Sequence, residues 1–297
     1  MRSVTAGFIV LIFAVGACAI PLMTNTSASI AVSTDPGYVM VGGQNGTWFG
    51  PGQAPRLEKV ELESDSATPL VPAPTGGTVW GGSWNGSQWL ISGWGEDLPT
   101  PNGSNPYIFL YNGDKQVVGG SLEQYQAEMT WHGGDIFAAS SDGDDWLVSG
   151  LGSGNLSASL PSFHGINHMS LALFNGSNFT DLSPMVPDQR DFILYTNAWN
   201  GHYWLIGGGY EDSGALYSFD GTKIVDLSSE LSDAIPTFGS IQSVAWNGEY
   251  WLIGGVNFLA SYDGHSFVDL TSRLNAARES DGDCCGSVNT IAWDGAE

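Results

Sequence analysis

The stretch Ala245-Trp246-Asn247-Gly248-Glu249-Tyr250-Trp251-Leu252-Ile253-Gly254-Gly255 decides the reading of this chain, because it recurs. An Asn-Gly pair between aromatic and aliphatic residues is a hairpin signal: a two-residue type I′ turn needs φ > 0 at both central positions, which Asn and Gly tolerate best. The stretch therefore predicts two antiparallel strands. The pattern returns as Ala198-Trp199-Asn200-Gly201-His202-Tyr203-Trp204-Leu205-Ile206-Gly207-Gly208 and as Ser83-Trp84-Asn85-Gly86-Ser87-Gln88-Trp89-Leu90-Ile91-Ser92-Gly93. A degraded copy runs from Ser140 to Gly150 around Asp142-Gly143, and Ala292-Trp293-Asp294-Gly295 opens another.

A second hairpin follows each first one. Leu259 to Leu270 carries Asp263-Gly264, Ala215 to Leu227 carries Asp220-Gly221, and Leu171 to Leu182 carries Asn175-Gly176. Residues 107–118, with Asn112-Gly113, form the weakest copy. Each unit thus reads as four strands, A-turn-B-loop-C-turn-D. The turn positions 85, 142, 200, 247 and 294 lie 57, 58, 47 and 47 residues apart. A four-stranded unit at this period is the signature of a β-propeller blade, so the fold class is all-β, a propeller of four-stranded antiparallel blades. Repeat units fall near 80–135, 136–192, 193–240 and 241–287. Tyr38 to Gly43 reads as a strand B without its A, and 288–297 as a strand A without its B. The expectation is that 38–79 and 288–297 share a fifth blade, pairing antiparallel and closing the ring, or else that the chain is a fragment of a larger propeller.

At the level of these hairpins the chain resembles kelch-like and galactose-oxidase-like propellers over residues 36–297. The pairs Gly42-Gly43, Gly207-Gly208 and Gly254-Gly255 stand where a kelch repeat carries its double glycine. The resemblance implies blades of this size with aromatic residues packed between them; it carries no active site to this chain.

Composition agrees with a turn-rich β fold. Of 297 residues, 13% are charged against an average near ~25%, 41 are Gly and 12% are aromatic. The net charge of −23, with 8 Lys plus Arg, repels nucleic acid and anionic membrane surfaces and excludes them as partners through electrostatics. Residues 1–30 hold Arg2 and then the apolar run Ala6 to Ile20, which reads as an export signal cleaved after Ala19 or near Ala28, or as an anchor retained to Met23. Val15-Gly16-Ala17-Cys18 also has the form of a bacterial lipoprotein box. Membrane contact is expected only through this segment, and the location is extracellular or at the cell surface. Seven Asn-x-Ser/Thr sequons lie at Asn25, Asn45, Asn85, Asn102, Asn155, Asn175 and Asn178; several coincide with turn residues, which explains them without glycosylation.

Chemistry-bearing clusters are few. His164 and His168 are four apart but separated by Gly165, which argues for a loop, and no third metal ligand follows from the sequence. Asp142, Asp144 and Asp145, and separately Glu279, Asp281 and Asp283, are candidate oxygen ligands for Ca²⁺, yet neither set has a calcium-loop order; solvated turn carboxylates account for both. Cys284 and Cys285 are adjacent and open to a vicinal disulfide, an intermolecular bond or the free thiols. Trp84, Trp89, Trp199, Trp204, Trp246 and Trp251 recur with the strands and read as packing between blades.

The functional expectation is an exported, non-catalytic propeller that binds a protein or a carbohydrate at the cell surface, the alternative being a secreted glycan-active hydrolase or lyase. The A–B and C–D turns should share one rim, and the longer B–C and D–A connections the other. Recognition belongs on the second rim. Its candidate binding residues are Trp94, Glu96, Asp97, His164, His168, Arg190, Tyr210, Glu211, Asp212 and Arg273.

Overall fold

The computed structural model describes residues 28–31, 38–45, 54–61, 66–69, 77–95, 105–112, 116–117, 134–153, 167–187, 192–210, 212–236, 238–279 and 287–292. They form five four-stranded antiparallel sheets, each a simple meander. The first holds β1 (Ala28–Ala31), β2 (Tyr38–Asn45), β3 (Ala54–Glu61) and β4 (Ser66–Pro69). The second holds β5 (Gly77–Trp84), β6 (Trp89–Gly95), β7 (Asn105–Tyr111) and β8 (Gln116–Val117). The third holds β9 (Gly134–Ser141), β10 (Trp146–Ser153), β11 (Asn167–Phe174) and β12 (Phe179–Asp181). The fourth holds β13 (Ile193–Trp199), β14 (Trp204–Tyr210), β15 (Ser213–Phe219) and β16 (Ile224–Asp226). The fifth holds β17 (Ile241–Trp246), β18 (Trp251–Gly255), β19 (Phe258–Tyr262) and β20 (Phe267–Asp269).

Consecutive sheets pack face to face, and strand alternation explains how one strand serves two neighbours. In β14, Trp204 and Ile206 pack with Leu171 and Met169 of the third sheet, whereas Leu205 packs with Ile241 and Trp251 of the fifth. Both faces are dry, so these strands are apolar at nearly every position. Trp89, Trp146, Trp204 and Trp251 open the second strand of their sheets and are all but fully buried. Indole N–H groups reach the preceding sheet: Trp146 donates to the Ser83 carbonyl at 3.2 Å and Trp251 to the Tyr203 hydroxyl at 2.9 Å. Trp84, Trp199 and Trp246 lie against Trp89, Trp204 and Trp251 at centroid distances of 5.6, 4.2 and 5.2 Å.

The hairpins form where expected but by another turn. Only the glycine takes positive φ, as at Gly86 (99°) and Gly248 (96°), and among the described residues Asn257 alone does so without being glycine. The preceding Asn or Asp keeps negative φ because its side chain does the work: Asn247 Oδ1 accepts the Glu249 and Tyr250 amides at 3.0 and 2.7 Å. This is an Asx turn rather than type I′.

The fourth strands of the third, fourth and fifth sheets end on a second recurrent device, Asp-Leu-Ser/Thr. Asp226 Oδ1 accepts the Ser228 amide at 2.8 Å, the Leu227 amide donates to the Leu216 carbonyl at 2.9 Å, and Ser228 Oγ accepts the Leu216 amide at 3.0 Å. Asp181-Leu182-Ser183 and Asp269-Leu270-Thr271 repeat it. Beyond it the chain enters a 3-10 turn (Ser183–Met185), helix α1 (Ser228–Ala234) or helix α2 (Thr271–Glu279).

One expectation about the ends is corrected. β2 pairs with β1 on one side and β3 on the other, so both of its edges are occupied and the pairing of 288–293 with 38–43 does not form. The strand that precedes β2 in that sheet is Ala28–Ala31. Residues 287–292 instead lie on the fifth sheet as β17 lies on the fourth. The Ile291 amide donates to Ser243 Oγ at 2.8 Å as the Val244 amide donates to Thr196 Oγ1 at 3.2 Å. A methyl on Gly254 would meet Val288 Cγ1 at 2.4 Å, as one on Gly207 would meet Ile241 Cγ2 at 2.4 Å.

The apolar run of residues 6–20 and the cysteines Cys18, Cys284 and Cys285 lie outside the described residues. Among the described residues no helix is long and apolar enough to cross a membrane.

Candidate functional site

The site begins with a glycine in the second strand of four sheets. A methyl on Gly93, Gly150, Gly208 or Gly255 would meet the carbonyl oxygen of Thr78, Asp135, Ile193 or Ser240 at 2.0, 2.0, 2.1 and 2.1 Å. That approach is possible only without a Cβ. It marks a β-bulge in the first strand of four sheets, where one extra residue is inserted into the ladder. The register runs from Val79↔Gly93 to Gly81↔Ser92, from Ile136↔Gly150 to Ala138↔Ser149, from Leu194↔Gly208 to Thr196↔Gly207, and from Ile241↔Gly255 to Ser243↔Gly254. The inserted residues are Trp80, Phe137, Tyr195 and Gln242.

First strands are where successive sheets adjoin: β5 contacts β9, β9 contacts β13, and β13 contacts β17. The bulges therefore bring their residues into one row. The rings of Trp80 and Phe137 lie 5.7 Å apart at 38°, and those of Phe137 and Tyr195 5.4 Å apart at 63°. All three are half-buried, as is Gln242, whose Nε2 donates to Ser240 Oγ at 2.8 Å. Burial raises the Tyr195 pKa, and the nearby Tyr210 raises it further. Tyr210 itself is 47% exposed at the end of β14, the end where the B–C connection leaves the sheet. The row and the expected recognition rim thus meet at Tyr210.

The opposite rim carries the tight turns. A methyl on Gly264, in the C–D turn of the fifth sheet, would lie 3.9 Å from the hydroxyl of Tyr203 in the A–B turn of the fourth. Asp142, Asp144 and Asp145 belong to this rim: Asp142 Oδ1 accepts the amides of Asp144 and Asp145 at 2.9 and 2.8 Å. The Asp145 pKa is raised by partial burial and then by the two neighbouring carboxylates. Among the described residues no group of three His, Cys, Asp or Glu is placed to hold a metal.

The candidate binding residues are scattered over several sheets. Trp94 lies in β6 opposite Pro106, and His168 in β11 opposite Gly152. Tyr210 and Asp212 are exposed in the fourth sheet, and Arg273 is exposed on α2. Glu96, Asp97, His164, Arg190 and Glu211 lie outside the described residues. The connection Gly209 to Gly214, one of the B–C connections expected to be long, is a tight hairpin, since Tyr210 pairs with Ser213. Gly209, at φ 138°, meets the Ser213 carbonyl too closely for a Cβ, at 2.1 Å, which lets the chain reverse at once.

The row Trp80–Phe137–Tyr195 was not foreseen. Its signal is a constant offset: each member stands five residues before the turn Asn or Asp at 85, 142 and 200. Simple alternation hides this, because a bulge changes which face a residue takes.

The fold defines the class: the chain is a β-propeller built of four-stranded antiparallel blades. The chain superposes on the acylaminoacyl peptidase of Pyrococcus horikoshii with a TM-score of 0.52 at 14% identity, covering 86% of this chain and 40% of that one. It also matches the β-propeller domain of the Trilobed protease from Pyrococcus furiosus (TM-score 0.44, 12% identity, 77% and 65% covered) and the GH74 enzyme of Niastella koreensis (0.34, 14%, 89% and 37%). The chain thus spans less than half the length of the peptidase it matches. No protein-family model matches the sequence. No curated protein matches it either.

Proposed function

We propose that this chain is an exported, non-catalytic propeller that binds a protein or glycan ligand at the row Trp80–Phe137–Tyr195 and the rim around Tyr210. The observation that carries the reading is that row, three aromatic rings from three sheets brought together by bulges, with an exposed tyrosine beside it. Large, half-buried aromatic side chains are typical of recognition surfaces, and Tyr195 adds a hydroxyl to the row. The fold alone does not select binding over catalysis, so the argument rests on the site. Export rests on the apolar run of residues 6–20, and the kelch-like character on the double glycines of the fourth and fifth sheets.

The test is binding of the purified chain to panels of glycans and peptides, comparing two sets of variants. Tyr210→Ser and Tyr195→Leu should abolish capture of any ligand found, with folding unchanged by circular dichroism. Asp220→Asn and Asp263→Asn, on the turn rim, should leave it intact. Loss through the turn variants with the row variants unaffected overturns the site.

A further inference from the structure

We infer that the aromatic row receives a basic side chain, so that the partner is a lysine- or arginine-rich polypeptide segment. This inference rests on the binding reading above and gives its ligand a chemistry. The faces of Trp, Phe and Tyr carry negative potential and attract a cation placed over them. Here three such rings from successive sheets meet in one row, and Tyr210, exposed at the end of β14, lies near Tyr195. The inserted residue of the next sheet, Gln242, contributes a carboxamide, so none of the four bulge positions carries a cation.

The geometry separates this ligand from a sugar. A pyranose stacks on a flat, open ring face, and a chain of them needs successive faces that are nearly coplanar. The rings here meet at 38° and 63°, so they offer no run of coplanar faces to a sugar chain. The local charge has the right sign as well: Asp212 is exposed two residues beyond Tyr210. At long range the whole molecule bears −23 with 8 Lys plus Arg, a field that steers a polycation toward it and repels an acidic partner.

The experiment titrates the full chain by calorimetry with three probes: a lysine-rich peptide, the same peptide with every lysine acetylated, and a neutral linear gluco-oligosaccharide. It repeats the titrations with Tyr210→Ser and Phe137→Leu, neither of which changes the net charge. The expected result is binding of the lysine peptide, weakened about tenfold by acetylation and about tenfold by either variant. Equal affinity of wild type and variants for the lysine peptide would mean attraction by net charge alone, and would sink the inference. Oligosaccharide binding that Tyr210→Ser removes would sink it too, while leaving the binding reading standing. If no probe shows row-dependent binding, while a ligand from the panels still depends on Tyr195, the cationic partner alone falls. If no ligand depends on the row, both fall.

Discussion

Asp220 and Asp263 each hold a turn through one carboxylate oxygen, accepting two amides at 2.8 Å, where Asn200 and Asn247 use a neutral carboxamide. The pKa of Asp220 is lowered chiefly by the Lys223 backbone amide, and that of Asp263 by the Ser266 amide. A carboxylate with a depressed folded pKa contributes stability above its unfolded value of about 3.9, and that contribution is lost as pH falls through the folded pKa. The double variant Asp220→Asn/Asp263→Asn should therefore lose less stability on acidification than the wild type. Urea midpoints at pH 6 and pH 3 check this; a wild-type-to-variant difference that does not change with pH contradicts it. The buried serines give a second contrast. Ser149 Oγ accepts Asn197 Nδ2 at 2.6 Å, whereas the equivalent Ser92 Oγ is buried with no hydrogen-bond partner among the described residues, Ala139 standing where the third sheet would need an Asn. Ser149→Ala should cost about 1–3 kcal/mol and Ser92→Ala should be neutral or stabilising, read from denaturant midpoints. None of this could be read from the sequence, where Ser92 and Ser149 occupy identical places in the repeat and differ only in what the next sheet offers.

Glycine pairs were legible as strand ends, but their cause lies across the ladder. Gly208→Ala places a methyl 2.1 Å from the Ile193 carbonyl, so the bulge that positions Tyr195 cannot form without backbone movement. The expected cost is about 3 kcal/mol or more. Gly201→Ala, in a turn at φ 95° with open space around it, should cost only about 1–2 kcal/mol. Thermal unfolding of both variants tests this; equal effects would remove the bulge from the account. The first and second strands of each hairpin were readable because Trp and β-branched residues flank the turns. The bulge between them was not, because register is a property of two strands together. For the same reason the connection after Tyr210 was misjudged: Gly209 makes possible a hairpin where the sequence Tyr-Glu-Asp-Ser reads as loop.

At the scale of the molecule, the repeat spacing of 47 residues fixed the relation between the fourth and fifth sheets and also the place of residues 287–292. What misled was β1, Ala28–Ala31, which carries no Trp-Asn-Gly and gave no sign of completing the first sheet. The seat of 287–292 can be tested in solution. Hydrogen exchange should show the Ile291 amide protected, and Ser243→Ala should speed its exchange while leaving that of Val244, held by Thr196, unchanged. An Ile291 amide that exchanges freely in the wild type contradicts the arrangement.

The central claim, that bulged first strands assemble Trp80, Phe137 and Tyr195 into a recognition site, is tested most directly by fluorine NMR of the chain labelled with 5-fluorotryptophan, titrated with the lysine-rich peptide. The Trp80 resonance should shift with occupancy while that of the fully buried Trp251 stays in place. A Trp80 resonance unmoved at saturating peptide, with shifts confined to tryptophans beside the turn rim such as Trp199 and Trp246, would contradict it.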